Sequence, residues 1–328
     1  MLRPPSPHWL SQENGRKTVL IHGMVMSPAF WSCFAPAMVR HGTAAAYPLP
    51  GHSPWILDID ERAFDTADIV DAYAKAIERD FDGEPVTLIG HSTGGFVSLL
   101  LARHRPDLVS SVILMGAFAC GRFEGQERIA ARILRLPLFG RMLFVHFFTH
   151  WIATRESFRW GSLNCVFDKT VGWETEETLA AMENVRQHLL LSHVADIAAF
   201  VSWMSRTSVT GDLPMIDAPV LNIIGARDTI VPPLHQLHLS GGLPNAHTVI
   251  LDNVGHMPMA EARDKVDSLI SAFLLMGPLV AKRKSRATMS KTATRRSSVS
   301  SSVYNPKYSS EQNVVTSVLQ QSLTAVRP

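Results

Sequence analysis

Short apolar runs alternate with helical patterns along most of the chain. Six apolar runs predict buried strands: Thr18–Ile21, Ala44–Tyr47, Val86–Ile89, Val109–Met115, Val220–Ile224 and Thr248–Leu251. Apolar residues at helical spacing predict helices near Glu61–Asp80, Gly94–His104, Pro233–Ser240 and Pro258–Leu275. Strands that alternate with helices are typical of a parallel sheet with crossover helices.

The alternation stops in the middle of the chain and divides it into parts. Residues 117–213 show mainly helical patterning and hold four of the seven Trp. We therefore predict a sheet core in two pieces, 18–116 and 214–276, with a helical insertion at 117–213. A Pro-rich leader, 1–17, precedes this core, and residues 277–328 follow it.

The C-terminal segment 277–328 differs from the rest in charge and composition. It carries nine Lys and Arg against one acid, Glu311, a net charge of +8. Since the whole chain carries +2, the remainder carries −6. Ser-rich, basic sequence with few large apolar residues predicts a disordered tail. Its KRKSR run resembles a nuclear-localisation patch, and the tail's partner stays open.

Several classes of protein are disfavoured by composition. Cys33, Cys120 and Cys165 are an odd, sparse set without CxxC spacing, which argues against a disulfide framework and a structural zinc. No signal peptide or uninterrupted apolar stretch of spanning length is evident, the nearest being Ile133–Ala153. We expect a cytoplasmic protein without metal or cofactor, and no nucleic-acid partner for the core.

The first chemical motif is VTLIGHSTGG, which begins at Val86. It places Gly90, Ser92 and Gly94 in G-x-S-x-G between a predicted strand and a predicted helix. In that context a tight turn exposes the serine oxygen, and the following helix directs its positive end toward a developing oxyanion. The sequence therefore indicates Ser92 as a nucleophile.

The second motif, VLIHGM, ends in His22, Gly23 and Met24. A strand that ends in His-Gly allows the chain to turn sharply. The amide of Met24 and the amide of Thr93 then form a candidate oxyanion hole with two donors. For the His22 side chain we favour a packing role in the loop, because the donor is backbone.

Two later strands end in candidate partners for Ser92. LNIIGARDTIVP carries Asp228, and NVGHMPMAEA carries His256. Ser92 needs His256 to accept its proton, and the imidazole needs a carboxylate to fix its tautomer. Asp252 and Asp217 are alternative carboxylates, although turn or strand-end positions suit them better.

Together the four motifs resemble those of the α/β-hydrolase superfamily over roughly Thr18–Met276. The resemblance implies an α/β-hydrolase fold, a mostly parallel sheet with flanking helices and an inserted helical cap. It also implies a triad of Ser92, Asp228 and His256, with the Met24 and Thr93 amides as the oxyanion hole. The short leader departs from the family, so the first antiparallel strands are expected to be missing or truncated. The basic tail is a second departure.

The function expected is hydrolysis of an ester, thioester or lactone of a hydrophobic small molecule through an acyl-serine. Carbon–carbon bond hydrolysis and acyl transfer are alternatives that the same triad serves. A ligand receptor on a hydrolase scaffold is a third, although every catalytic part is intact. The aromatic segment near Ile133–Ala153 is interpreted as a cap helix above the site, and weak contact with a membrane surface is its alternative.

Overall fold

The computed structural model describes residues 2–57, 65–121, 133–134, 136, 139–170 and 173–275. The chain divides into two compact units, Met1–Val266 and Asp267–Pro328. The second unit is described only at 267–275, which are helical. The tail predicted at 277–328 lies outside the described residues.

A seven-stranded sheet is the centre of the first unit. Its strands are β1 (His8–Gln12), β2 (Arg16–Ile21), β3 (Gly42–Tyr47), β4 (Val86–His91), β5 (Val109–Met115), β6 (Val220–Gly225) and β7 (Ala246–Leu251). They lie in the order β1-β3-β2-β4-β5-β6-β7. All six strands predicted from apolar runs are present. Strands β4 and β6 are buried along their whole length, as expected for a parallel sheet covered on both faces.

The N-terminal segment corrects one expectation. Residues 1–17 were predicted to be a leader, but His8–Gln12 form an edge strand that pairs antiparallel with β3. The start of β2 at Arg16 also falls in this segment. His8–Gln12 is only part-buried, so it lacks the continuous apolar run that marks a central parallel strand.

Helices of the core follow its strands. They are α1 (Phe30–Phe34), α2 (Thr66–Asp80), α3 (Thr93–His104), α8 (Pro233–Gly242) and α9 (Pro258–Glu261). Of these, α3, α8 and α9 contact the sheet, α2 packs against α3, and α1 contacts the insertion. Helix α2 begins after Asp65, whose side chain accepts a hydrogen bond from the Ala67 amide. The first residues predicted for this helix, 61–64, lie outside the described residues. Helix α3 is buried from Thr93 to Ala102.

The predicted C-terminal helix is two helices. Helix α9 ends at Glu261, and residues 263–275 form the next helix. Ala262 separates them with a φ of −140°, which is not helical. Glu261 is the last residue of α9, and its side chain accepts hydrogen bonds from the preceding loop.

Between β5 and β6 the described chain is mainly helical. It contains α4 (Gly140–Ala153), α5 (Arg155–Leu163), α6 (Glu176–Leu190) and α7 (Val194–Met204). Helix α4 buries Phe144, Phe148 and Ile152. Among the described residues, no helix has both the length and the apolarity to cross a bilayer.

Candidate active site

Ser92 occupies the sharp turn between β4 and α3. Its φ of 52° and ψ of −116° lie outside the conformations that L-residues favour. Strain of this kind costs about 1–3 kcal/mol and persists only when the surroundings enforce it. The Ser92 amide is held by the Met115 carbonyl at 2.9 Å. A Cβ at Gly94 would collide with the Ile21 carbonyl oxygen, so the turn requires glycine there.

His256 and Asp228 lie next to each other after strands β7 and β6. His256 Nδ1 is 2.8 Å from Asp228 Oδ2, and both side chains are almost completely buried. Asp228 Oδ1 also accepts the amides of Ile230 and Val231, at 2.7 and 2.8 Å. Because Asp228 Oδ2 is an acceptor, His256 donates from Nδ1 and leaves Nε2 as its free acceptor.

The environment favours a charged Asp228. Burial alone would raise the pKa of this carboxyl group. The nearby His256, its hydrogen bond and the two amides outweigh burial, so the pKa lies below its ordinary value. A buried carboxylate at this position holds the imidazole in one tautomer and stabilises its protonated form.

The two alternative carboxylates are elsewhere. Asp217 and Asp252 are both exposed. The Asp217 carbonyl oxygen accepts from the Asn245 side chain. Of the three candidate carboxylates, the structure therefore brings only Asp228 to His256.

His91 packs against His256, with ring centroids 4.7 Å apart. Its Nε2 donates to the His256 carbonyl oxygen at 2.9 Å. Burial, and then the charge of His256, lower the pKa of His91 to about 3. His91 is therefore a neutral, hydrogen-bonded packing residue at neutral pH.

The two predicted oxyanion-hole residues line the same cavity as Ser92 and His256. Thr93 is the first residue of α3, so its amide has no acceptor within the helix. Two buried histidines hold the loop around Met24. His22 Nδ1 donates to the Gly23 carbonyl at 2.7 Å, and His52 Nε2 donates to the Met24 carbonyl. His22 thus packs within the loop, as expected.

The cavity in front of Ser92 has a volume of about 540 Å³. Sheet-edge loops contribute Ser92, Thr93 and His256, and the insertion contributes mainly apolar side chains. Trp151, Phe158, Met182, Val185 and Met204 are examples from its four helices. This size and lining suit an apolar small molecule.

Two buried contacts of the site were missed by the sequence interpretation. Gln236 on α8 donates from Nε2 to Asp228 Oδ2 at 2.9 Å and is completely buried. Glu261 on α9 accepts the amides on both sides of His256. No local motif distinguishes either residue, although Glu261 falls within the quoted NVGHMPMAEA segment.

Comparison with known proteins defines the class. Residues 18–268 match the sequence profile of the alpha/beta hydrolase family. The chain belongs to this family, which confirms the resemblance and the predicted fold class.

Individual relatives are more distant. A pimeloyl-(acyl-carrier protein) methyl ester esterase of Neisseria meningitidis is 26% identical over 261 residues, which cover 79% of this chain and 93% of that protein. An sn-1-specific diacylglycerol lipase of Mus musculus is 22% identical over 275 residues, covering 78% and 80%.

Among solved structures, a thermophilic esterase from Thermogutta terrifontis superposes with a TM-score of 0.62 at 19% identity, covering 83% of this chain and 93% of that one. An enol-lactonase from Burkholderia xenovorans gives 0.62 at 16% identity, covering 82% and 96%. The structures share the fold, and the named relatives are esterases and hydrolases. The chain is a hydrolase.

Proposed function

We propose that this hydrolase cleaves an ester, thioester or lactone of a hydrophobic small molecule through an acyl-serine intermediate. Ser92 is the nucleophile, His256 the general base and Asp228 the acid that orients it. The amides of Met24 and Thr93 stabilise the oxyanion. The observation that carries the proposal is the buried Asp228–His256 pair at 2.8 Å, in which His256 lines the same cavity as the strained Ser92.

The proposed reaction has two halves. Ser92 Oγ attacks the acyl carbon while His256 Nε2 takes the serine proton, and the negative oxygen accepts hydrogen bonds from the two amides. Protonated His256 then gives that proton to the leaving alcohol or thiol. Water attacks the acyl-serine by the same steps and releases the acid.

The expected substrate class follows from the lining of the cavity. An apolar wall favours apolar groups by about 0.8 kcal/mol for each buried methylene. Two relatives, a methyl ester esterase and a diacylglycerol lipase, are named for esters of acyl chains. We therefore expect a hydrophobic acyl or aromatic ester rather than a sugar ester.

Turnover of p-nitrophenyl esters by the full chain and its Ser92→Ala variant tests the proposal. The wild type should hydrolyse them with multiple turnovers, and the variant should lose about 10⁶-fold in kcat. A wild type that stops after one turnover would indicate a receptor on this scaffold. Undiminished turnover by Ser92→Ala would exclude Ser92 as the nucleophile.

A further inference from the structure

The carboxylate of Glu261 accepts three backbone amides. Oε2 accepts from Gly255 at 2.9 Å and from Phe167 at 2.7 Å. Oε1 accepts from Met257 at 3.0 Å. Hydrogen bonds to an ionised carboxylate are about twice as strong as neutral ones. One half-buried side chain thus joins two segments that are far apart in sequence.

Gly255 and Met257 are the residues on either side of His256. The backbone groups of His256 itself are also hydrogen-bonded. The His256 amide donates to the Cys165 carbonyl at 2.8 Å, and its carbonyl accepts from His91. The His256 backbone is therefore fixed from three directions: by Glu261, by the insertion and by the nucleophile turn.

The insertion segment that meets this loop runs from Cys165 to Phe167. A Cβ at Gly255 would lie 2.7 Å from the Phe167 amide nitrogen and 3.0 Å from the Cys165 carbonyl oxygen, so the two backbones are in close contact. The Phe167 ring also lies 5.7 Å from the guanidinium carbon of Arg227, the neighbour of Asp228. The insertion thus touches the turns that carry both His256 and Asp228.

From this geometry we propose that Glu261 is a positioning residue for the reaction. It fastens the insertion loop 165–167 to the His256 loop and so holds the imidazole between Ser92 and Asp228. Glu261 acts through the backbone and does not touch the substrate. The inference rests on the proposed function, because it assigns His256 the role of base.

Loss of this carboxylate would leave three amides without their acceptor and allow the His256 loop to shift. A misplacement of about 1 Å in a catalytic group lowers a rate by as much as 10²-fold. Glu261 itself does not line the cavity, although Cys165, Val166 and Met257 in the segments that it joins do. The loss should therefore appear mainly in kcat, with a smaller change in KM.

The test compares Glu261→Ala and Glu261→Gln with the wild type, each normalised to active sites titrated with a fluorophosphonate. We expect Glu261→Ala to lose about 10- to 100-fold in kcat per site. Glu261→Gln should lose less, because its carbonyl oxygen still accepts while its NH₂ faces an amide donor. Glu78→Ala, which removes a carboxylate bound to Arg105 on the surface, is the matched control and should keep its kcat.

Normalisation separates positioning from folding, because a purely structural defect lowers the number of sites and not their rate. A wild-type kcat per site in Glu261→Ala would overturn the inference. If that variant does not fold, a wild-type kcat per site in Glu261→Gln would overturn it equally. Ser92→Ala is measured in parallel, and its continued turnover would overturn both the proposed function and this inference. If Ser92→Ala loses turnover while the Glu261 variants keep their kcat per site, only the role of Glu261 would be overturned.

Discussion

The carboxyl-terminal edge of the sheet, where Ser92, Asp228 and His256 follow their strands, differs sharply from the insertion that faces it. At the sheet edge, polar side chains are buried, and Asp228 alone accepts four hydrogen bonds. In the insertion, large apolar side chains are exposed, among them Trp160 at 72% and Phe139 at 58%. The first region is specified by directional contacts and the second by apolar surface.

This difference separates two tasks. Directional hydrogen bonds fix the position and protonation of the reacting groups, which must be accurate to a fraction of an ångström. Apolar walls select by size and hydrophobicity, and they tolerate repacking. Substitutions at the sheet edge should therefore change kcat, and those in the insertion should change substrate preference.

The largest effect is expected from a substitution of Asp228 in the polar region. Asp228→Asn keeps the shape of the side chain but presents an amide that favours the wrong tautomer of His256. We expect kcat to fall by about 10⁴-fold while the fold is retained, as measured by steady-state kinetics and circular dichroism.

Exposed carboxylates supply the controls for that measurement. Asp217→Asn and Asp252→Asn should keep kcat within a few-fold of the wild type, since surface changes of this kind have small effects. If either proved more damaging than Asp228→Asn, the assignment of the acid would be wrong.

An effect of intermediate size is expected when the acyl chain or the apolar wall of the cavity is changed. In the wild type, two added methylenes in the acyl chain should raise kcat/KM about tenfold until the cavity is full. Val185 is buried on α6 and lines the cavity. Val185→Phe should shorten the preferred acyl chain, as measured by kcat/KM for esters from acetyl to octanoyl.

Leu179 lies on the same helix but is exposed and does not line the cavity. Leu179→Phe should therefore leave the chain-length profile unchanged. A preference of the wild type for acetyl esters would contradict an apolar acyl pocket and leave the proposed triad intact.

The smallest expected effect concerns acid stability of the polar region. Folded His91 has a pKa of about 3, whereas a histidine in the unfolded chain titrates near 6.5. Below pH 6.5 the unfolded state therefore binds a proton that the folded state does not, and the free energy of unfolding falls with pH. His91 alone should remove about 2 kcal/mol between pH 7.5 and pH 5. Burial lowers the pKa of His22 and His52 in the same direction.

Denaturant unfolding at the two pH values measures this loss. His91→Gln can keep a donor near the His256 carbonyl and does not titrate, so its stability should depend less on pH than that of the wild type. His146→Gln changes an exposed histidine and serves as the control. Equal pH dependence in His91→Gln and the wild type would contradict the role of His91.

Much of the sheet could be predicted because central parallel strands are continuous apolar runs. Val109–Met115 coincides with the strand observed. Strand β1 was missed because His8–Gln12 is a part-buried edge strand whose pairing with β3 is not encoded in its own pattern. The break at Ala262 was missed because the residues around it favour helix, and the interruption becomes visible only in the folded chain.

The same physical distinction holds at the site. Ser92, Asp228 and His256 each follow a strand within a short motif, so sequence indicated them. Gln236 and Glu261 lie on the helices that follow the Asp228 and His256 turns, and no spacing in the sequence relates Glu261 to Phe167, which is 94 residues away. Contacts of this kind form only in the folded chain. The sequence likewise does not show which insertion residues face Ser92.

The central claim is that Ser92 is the residue that carries the acyl group. The most direct measurement treats the full chain with a fluorophosphonate and locates the adduct by peptide mass spectrometry. The account predicts one adduct, on Ser92, which is absent from Ser92→Ala and forms far more slowly in Asp228→Asn. An adduct on another residue, or equal labelling of Ser92→Ala, would contradict it.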